Sequence, residues 1–330
     1  MNRLNRRRMI STLGAGLAVA ALGCLHGPAW AAYPDKPITL VVPFPAGGPA
    51  DGYGRALAAA LSARLKQTVV VENRSGAGGE LGVQAVARAT PDGYTIGMAG
   101  SGATVFRPLL TDKVLFDVFK DVTLLSKMVR TPNILIVGPH VTAKTVSELI
   151  AQAKAQPGKL TIASAGVGSS PHVLAELFKQ KAGLDILHVP YQGFTPALQG
   201  LMGGQVDMFF GEAAGVLPFV TAGKVRALFT ADQKRARGLP DVPNADEVGL
   251  RDVVAEGSYG LVAPVGLPPA VAKQLTQAIA EALKSPEVAE KFDLQAGIPD
   301  ASSGDQYAAY IKSERARWLP VIRQANIKLE

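Results

Sequence analysis

Residues 38–72 read ITLVVPFPAGGPADGYGRALAAALSARLKQTVVVE, and the rest of the prediction depends on this pattern. The run 38–44 is almost continuously apolar, which predicts a buried strand. Residues 50–65 are rich in Ala and Leu and predict a helix, and residues 69–72 predict the next strand. Buried strands that alternate with helices are typical of a parallel sheet covered by helices on both faces.

The same alternation continues along the chain. It predicts strands over 94–98, 134–137, 160–164, 186–189, 206–210, 225–230 and 260–263, and helices over 80–89, 145–155, 170–181, 195–202, 268–283 and 304–325. The last third is mostly helical, so we expect it to pack on an existing sheet rather than to form a third domain.

The predicted fold class is therefore α/β with two lobes, each a mostly parallel sheet flanked by helices. Lobe 1 comprises residues 32–131 and 256–330, and lobe 2 comprises residues 132–255. The chain then crosses twice between the lobes, which is the geometry of a hinge. Two lobes that are each continuous in sequence remain an alternative.

Composition excludes several classes of protein. The chain has 330 residues, of which 48% are hydrophobic and 18% charged, so it can bury a substantial core. The net charge of +7 falls to +3 without residues 1–31, which contain four arginines and no acid. No dense basic stripe remains, so we expect no nucleic-acid partner. The single Cys24 excludes a disulfide framework and a cysteine-cluster metal site.

The first 31 residues predict an export signal and a periplasmic location. Residues 2–8 are basic, residues 9–23 are apolar but too few for the ~20 that cross a bilayer, and Ala31 ends a small-x-small cleavage pattern. The arginines at 6–8 resemble a twin-arginine motif, and an ordinary Sec signal remains equally compatible. Lipid attachment at Cys24 also remains open.

Three glycine-rich loops each connect a predicted strand to a helix: residues 43–51, 75–79 and 164–172. Free backbone N–H groups and the helix dipole favour an anion at such junctions, although each loop alone could be an ordinary turn. The residues after Gly79 do not fit a phosphate-binding Walker loop. The first and third loops contain no Lys or Arg, so their amides and hydroxyls suit a small carboxylate.

Catalytic and metal motifs are lacking in the sequence, so we expect no catalytic residue, no metal and no cofactor. Asp51 could bind a ligand ammonium or satisfy its own helix, and the sequence does not decide between these roles. His172 is more typical of a packing residue than of a ligand contact. Tyr191 and Phe194 could cover the apolar part of a ligand or belong to the core.

A series of short motifs from Tyr33 to Glu330 resembles the substrate-binding proteins of tripartite tricarboxylate transporters, the Bug receptors. The motifs are YPDKPI (33–38), VVPF (41–44), VVENR (70–74), GAGG (76–79), PDGY (91–94), PGKL (157–160), SAGVGS (164–169), HVPY (188–191), LPDVP (239–243) and GLVAP (260–264). The resemblance lies in their order and combination. The chain departs from the family's usual residues at Ser75, Asn244 and Ser258.

The resemblance implies a type II-like, two-lobed periplasmic binding protein that is a receptor and not an enzyme. Such a receptor captures a small carboxylate in an interlobe cleft by hinge closure and delivers it to the membrane components of a tripartite transporter. We expect a monomer. Two alternatives are a periplasmic enzyme that acts on a carboxylate and a ligand sensor that feeds a signalling partner.

The resemblance also implies which residues bind the ligand. Those carried over from the first loop and its counterpart in lobe 2 are Phe44, Ala46, Gly47, Gly48, Asp51, Ser164, Ala165, Gly166, Gly168 and Ser169. Ser101, Tyr191 and Thr195 are added by their positions. The sequence does not identify the carboxylate.

Overall fold

The computed structural model describes residues 33–327, and the export signal expected over residues 1–31 lies outside the described residues. Residues 36–327 belong to one unit, and the segment that ends at Asp35 belongs to another. Within residues 33–327, no helix combines the length and the apolar composition that crossing a membrane would require.

The strands and helices follow the alternation predicted from the sequence. The strands are β1 (Ile38–Val42), β2 (Val69–Asn73), β3 (Thr95–Gly100), β4 (Val122–Val137), β5 (Thr161–Ser164), β6 (Leu187–Pro190), β7 (Met208–Glu212), β8 (Arg226–Thr230), β9 (Glu256–Pro264) and β10 (Ile298–Pro299). The helices are α1 (Pro49–Leu65), α2 (Glu80–Ala87), α3 (Arg107–Leu110), α4 (Val146–Ala155), α5 (Ser170–Ala182), α6 (Phe194–Met202), α7 (Ala213–Thr221), α8 (Pro269–Leu283), α9 (Pro286–Asp293) and α10 (Gly304–Gln324).

The sheet contains two groups of parallel strands, as the fold class predicts, and antiparallel strands between them make the whole sheet mixed. Its strand order is β2-β1-β3-β9-β4-β7-β5-β6, and β8 and β10 also pair with β4. The groups β2-β1-β3 and β7-β5-β6 are parallel, whereas β9 and β4 are antiparallel to each other and to their other neighbours. The reason is the path of the chain, because β4 leaves the first group for the second and β9 returns from it.

Strand β4 is longer than the sequence predicts, because only its residues 134–137 form an uninterrupted apolar run. Its first part contains Ser126 and Lys127, which are nevertheless buried. The Lys127 ammonium lies 3.2 Å from a Glu256 carboxylate oxygen and 3.3 Å from one of Asp300. Tertiary ion pairs therefore allow a polar stretch to continue the strand.

The C-terminal segment returns to the first group of strands, as the helical last third predicts. Helices α8 and α9 pack against α1, β9 lies beside β3, and α10 packs against β4. The hydroxyl of Tyr307 in α10 donates to the Ala99 carbonyl at 3.3 Å, and its ring lies over Gly260. A side chain on Gly260 would occupy the space of that ring, so β9 requires glycine there.

Candidate functional site

The first predicted loop follows β1 and is built around the carboxylate of Asp51. Gly47 has φ +77°, a conformation that favours glycine, and this turn directs the Gly47 amide to Asp51 Oδ2 at 3.0 Å. Arg55 Nε donates to the same oxygen at 2.8 Å, and Asn73 Nδ2 donates to Oδ1 at 3.0 Å. Both carboxylate oxygens therefore have protein donors. The sequence left open whether Asp51 binds a ligand ammonium or satisfies its own helix, and these contacts support the second role.

The electrostatic state of Asp51 agrees with this role. Burial alone would raise its pKa, but the hydrogen bonds from Arg55, Gly47 and Asn73 outweigh burial and hold the pKa below its usual value. Asn73 Nδ2 also donates to the Phe44 carbonyl at 3.0 Å, which ties the end of β2 to the loop after β1. An ionised Asp51 thus stabilises the loop that precedes α1.

Phe44 brings the first loop together with the end of β3. Its ring lies 3.2–3.3 Å from the positions that side chains on Gly79 and Gly100 would occupy, so the ring packs closely against both glycines. Ser101, which follows Gly100, is buried. The Phe44 ring also meets Tyr259 of β9 edge to face, with 5.8 Å between ring centroids.

The loop after β5 is held by its own hydroxyl groups. Gly166 has φ +121°, and its amide donates to Ser164 Oγ at 3.2 Å. Ser169 Oγ donates to the Gly166 carbonyl at 2.7 Å, and the Tyr191 amide donates to the Ser164 carbonyl at 3.0 Å. Hydrogen bonds therefore connect Ser164, Gly166, Ser169 and Tyr191, whereas Thr195 is exposed on the first turn of α6.

A stacked pair of histidines, His172 and His188, packs against this loop and forms hydrogen bonds with it. The rings of His172 and His188 are parallel within 11°, with centroids 3.9 Å apart. His172 Nδ1 accepts from the Gly168 amide at 3.1 Å, and His188 Nε2 lies 2.6 Å from Ser164 Oγ. Because Nδ1 accepts, the proton of neutral His172 is on Nε2. His172 therefore acts as a buried packing and hydrogen-bonding residue.

Burial keeps both histidines neutral. Burial, the neighbouring His188 and Lys179 lower the pKa of His172 to about 3. Burial and Lys179 lower the pKa of His188 to about 4. Neither ring therefore supplies positive charge to an anion at this loop near neutral pH.

Tyr191 and Phe194 contact protein on at least one face. The Tyr191 ring lies over Gly200 in α6, and its hydroxyl donates to Gln205 Oε1 at 3.3 Å. Phe194 packs over Gly215 at the start of α7 and against Phe209, with ring centroids 5.5 Å apart. Both side chains thus stabilise the ends of β6 and β7.

Two helix N-termini leave donors at this site. The first amides of a helix have no intrahelical partner, and these belong to Ala50 and Asp51 in α1 and to Ser170 in α5. Ser170 Oγ is buried and, among the described residues, has no hydrogen-bond partner. Ser170 is not among the predicted ligand contacts, although its place at the start of the helix, within the third glycine-rich loop, is the signal that could have identified it.

Glu212 is a second residue near the site that was not predicted from the sequence. It ends β7, and both of its carboxylate oxygens lie 2.9 Å from the Tyr259 hydroxyl on β9. This contact joins the second group of strands to the ring that covers Phe44. The sequence around it, FFGEAA, carries no motif.

The two halves of the candidate site also meet through a helix. Helix α5 packs against the π-helical segment Gly102–Phe106, which follows Ser101. Two contacts thus connect the structural elements that carry the two halves of the site. Residues 33–327 contain no cluster of three or more His, Cys, Asp or Glu side chains able to hold a metal ion.

Similar proteins were found by sequence and by structure. A family model described as "Tripartite tricarboxylate transporter family receptor" matches residues 54–327. BugT of Bordetella pertussis is 35% identical over 99% of this chain and 100% of that protein. Rpa4515 of R. palustris, solved with adipate, has a TM-score of 0.86 and 31% identity, covering 90% of this chain and 99% of that one. MatC of Rhodopseudomonas palustris, solved with bound malate, has a TM-score of 0.81 and 31% identity, covering 88% of this chain and 100% of that one.

Proposed function

Because the chain belongs to the tripartite tricarboxylate transporter receptor family, we propose that it captures a small organic carboxylate and delivers it to the membrane components of such a transporter. Members of this family are periplasmic solute-binding receptors and not enzymes. The similar proteins solved with adipate and malate hold dicarboxylates, which supports this class of ligand.

The observation that carries the proposal is the pair of helix N-termini with unused donors. The amides of Ala50 and Ser170 and the buried Ser170 hydroxyl face no protein acceptor among the described residues. The two loops that precede these helices contain no Lys or Arg. A carboxylate that accepts several such hydrogen bonds, each worth ~1.5–3 kcal/mol, can reach micromolar affinity.

Several predicted ligand contacts act indirectly in this proposal. The amides of Gly47, Gly166 and Gly168 already donate to Asp51, Ser164 and His172. These glycines therefore shape the loops, and the ligand would receive its hydrogen bonds from the neighbouring amides and from the Ser170 hydroxyl. Ala46, Gly48 and Ala165 stay predicted ligand contacts.

We further propose that capture proceeds by closure of two lobes with the predicted boundaries, 32–131 with 256–330 and 132–255. Strands β4 and β9 would be the two hinge crossings. A ligand shifts such an equilibrium only by its differential affinity for the closed state. We propose that the protein loses residues 1–31 on export to the periplasm and delivers its ligand to the transporter as a monomer. If the protein were instead a sensor, uptake of the ligand would not require it.

Ser170→Ala tests the proposal directly. The mature protein is screened by thermal unfolding against adipate, malate and other small mono- and dicarboxylates, and bound ligand raises the melting temperature by mass action. We expect Ser170→Ala to weaken binding by roughly tenfold, the value of one hydrogen bond to a charged group. The unfolding stability of the ligand-free variant should not fall, because the hydroxyl has no protein partner.

The matched control is Ser313→Ala, which removes an exposed hydroxyl that donates to the Tyr310 carbonyl. This variant should bind ligand as the wild-type protein does. A screen in which no organic acid raises the melting temperature would contradict the proposal, and so would undiminished binding by Ser170→Ala.

A further inference from the structure

Glu212 occupies the same edge of the sheet as the loop after β5. Strands β5 and β7 are parallel neighbours, with Ala163 opposite Phe209, so Ser164 and Glu212 both end their strands at this edge. Carboxyl ends of parallel strands are where ligands bind in open α/β sheets. Glu212 therefore lies beside the proposed carboxylate site, although no family motif includes it.

The surroundings of Glu212 place it between the two halves of the site. Its carboxylate accepts from Tyr259, whose ring contacts Phe44 of the first loop. One carboxylate oxygen lies 2.7 Å from the position that a side chain on Gly257 would take, so glycine makes room for it. The Glu212 side chain is largely buried by these contacts.

Within residues 33–327, the groups that face Glu212 do not include a cation. Strand β9 presents Tyr259, helix α1 presents Tyr53, and β4 presents the neutral Thr131 and Asn133. Helix α7, which follows Glu212, has no charged residue. The nearby cations of β4 are engaged elsewhere, since Lys127 pairs with Glu256 and Asp300 and Arg130 pairs with Asp232 and Glu256.

A carboxylate in such a place is poised to hold a proton near neutral pH. Burial raises the pKa of Glu212 to about 7, and the hydrogen bond from Tyr259 opposes this rise only in part. A ligand carboxylate nearby would favour the protonated form of Glu212 further, because two negative charges in one site repel each other. Tyr259 itself stays protonated, since burial and Glu212 raise its pKa well above its usual value.

We propose that Glu212 takes up a proton when an organic acid binds, so that the receptor holds its cargo next to a neutral carboxylic acid. This inference rests on the proposed function. Ligand binding would then be coupled to proton uptake. At high pH, where Glu212 is ionised in the free protein, the affinity for an anionic ligand would be lower.

The first measurement needs no ligand. Carboxyl carbon resonances of ¹³C-glutamate-labelled protein are followed from pH 4 to 9, and the Glu212 signal is the one missing in Glu212→Gln. We expect its midpoint near pH 7 in the free protein and at higher pH with adipate bound. A midpoint at the usual value of glutamate, or one that bound adipate leaves unmoved, would overturn the inference.

The second measurement is the affinity for adipate, whose own carboxyl groups are ionised over the range used. For the wild-type protein, we expect the dissociation constant to rise roughly twentyfold from pH 6.5 to 8.5. In Glu212→Gln the affinity should be nearly independent of pH. Tyr259→Phe, which keeps the ring on Phe44 but removes the donor, should move the midpoint to higher pH.

Glu290→Gln is the matched control, because it removes an exposed carboxylate in α9 and should leave the pH dependence in place. An affinity that is equally independent of pH in the wild-type protein and in Glu212→Gln would overturn the inference while leaving the proposed function intact. Failure of adipate and of every other organic acid tested to bind at either pH would contradict the proposed function, and the inference with it.

Discussion

Asp51 and Glu212 are two carboxylates of the candidate site in opposite environments. Asp51 accepts from Arg55, Asn73 and the Gly47 amide, and its pKa is lowered. In the part of the chain that the structure describes, Glu212 accepts from Tyr259 alone, and its pKa is raised. The position of Asp51 after a strand and a glycine loop made it a candidate from sequence, whereas the role of Glu212 depends on a tyrosine distant in the chain.

The stacked histidines were visible in the sequence, but their partnership was not. His172 belongs to a recognisable loop and His188 to a predicted strand, and only the parallel pairing of β5 with β6 brings their rings together. A histidine in the first turn of a helix is more typical of a packing residue, and the hydrogen bond that His172 accepts from the Gly168 amide agrees with that interpretation.

The first prediction concerns the acid sensitivity of this pair. The pKa of His188 is about 4 in the folded protein and ~6.5 when unfolded. Between pH 4 and 6.5 the unfolded chain binds a proton at His188 that the folded chain does not. The free energy of unfolding is therefore unaffected by His188 protonation above pH 6.5 and decreases as the pH falls toward 4. His188→Gln removes the effect, so its stability deficit relative to the wild-type protein should shrink by up to about 1.4 kcal/mol per pH unit. Urea unfolding of both proteins from pH 7 to 4.5 measures this difference, and a deficit that stays constant would contradict the prediction.

At the scale of elements, local patterns predicted most strands and helices because apolar runs and turn residues alternate clearly. The first part of β4 was missed because Lys127 and Arg130 interrupt the run, and their ion pairs come from residues far along the chain. Helix α7 was missed because AAGVLPFVT has no polar face and contains Pro218. The antiparallel placement of β9 also depends on the path of the chain rather than on its local sequence.

The second prediction concerns the contact between β9 and α10. A Cβ on Gly260 would lie 2.2 Å from the Tyr307 ring, which is fully enclosed and cannot move aside. Gly260→Ala should therefore destabilise the fold by about 1–3 kcal/mol, the usual cost of overpacking a core. Chemical unfolding measures the change. Gly203→Ala serves as the control, because Gly203 has φ −81° and its nearest neighbour lies at 3.3 Å. Equal stability of the two variants would contradict the prediction.

At the scale of the whole molecule, two antiparallel strands connect the groups of parallel strands. Strand β4 pairs with β9 through residues 122–132 and with β7 through residues 133–137. The side-chain amide of Asn133 donates to the Ala255 carbonyl at 3.0 Å, which ties the two connections together. The sequence predicted two crossings from the helical character of the last third, but it could not predict that they would be hydrogen-bonded neighbours.

The third prediction follows from proposed closure about these connections. Saturation with a bound organic acid, found by the thermal screen, should reduce the radius of gyration measured by small-angle X-ray scattering. The reduction should be absent under the same conditions in a variant that has lost binding, such as one with a bulky residue at Gly168. Tight binding with an unchanged radius of gyration would contradict closure.

The pairing of β3 with β9 has a consequence for how the protein is made. Gly97 finds its partner in Val262, about half the chain length away, so the sheet that starts with β1 stays unfinished until most of the polypeptide has been synthesised. Such non-local pairing is typical of slow folding. A nascent chain of this topology therefore holds β1, β2 and β3 without their β9 neighbour for most of its synthesis, so its first group of strands can be completed only late.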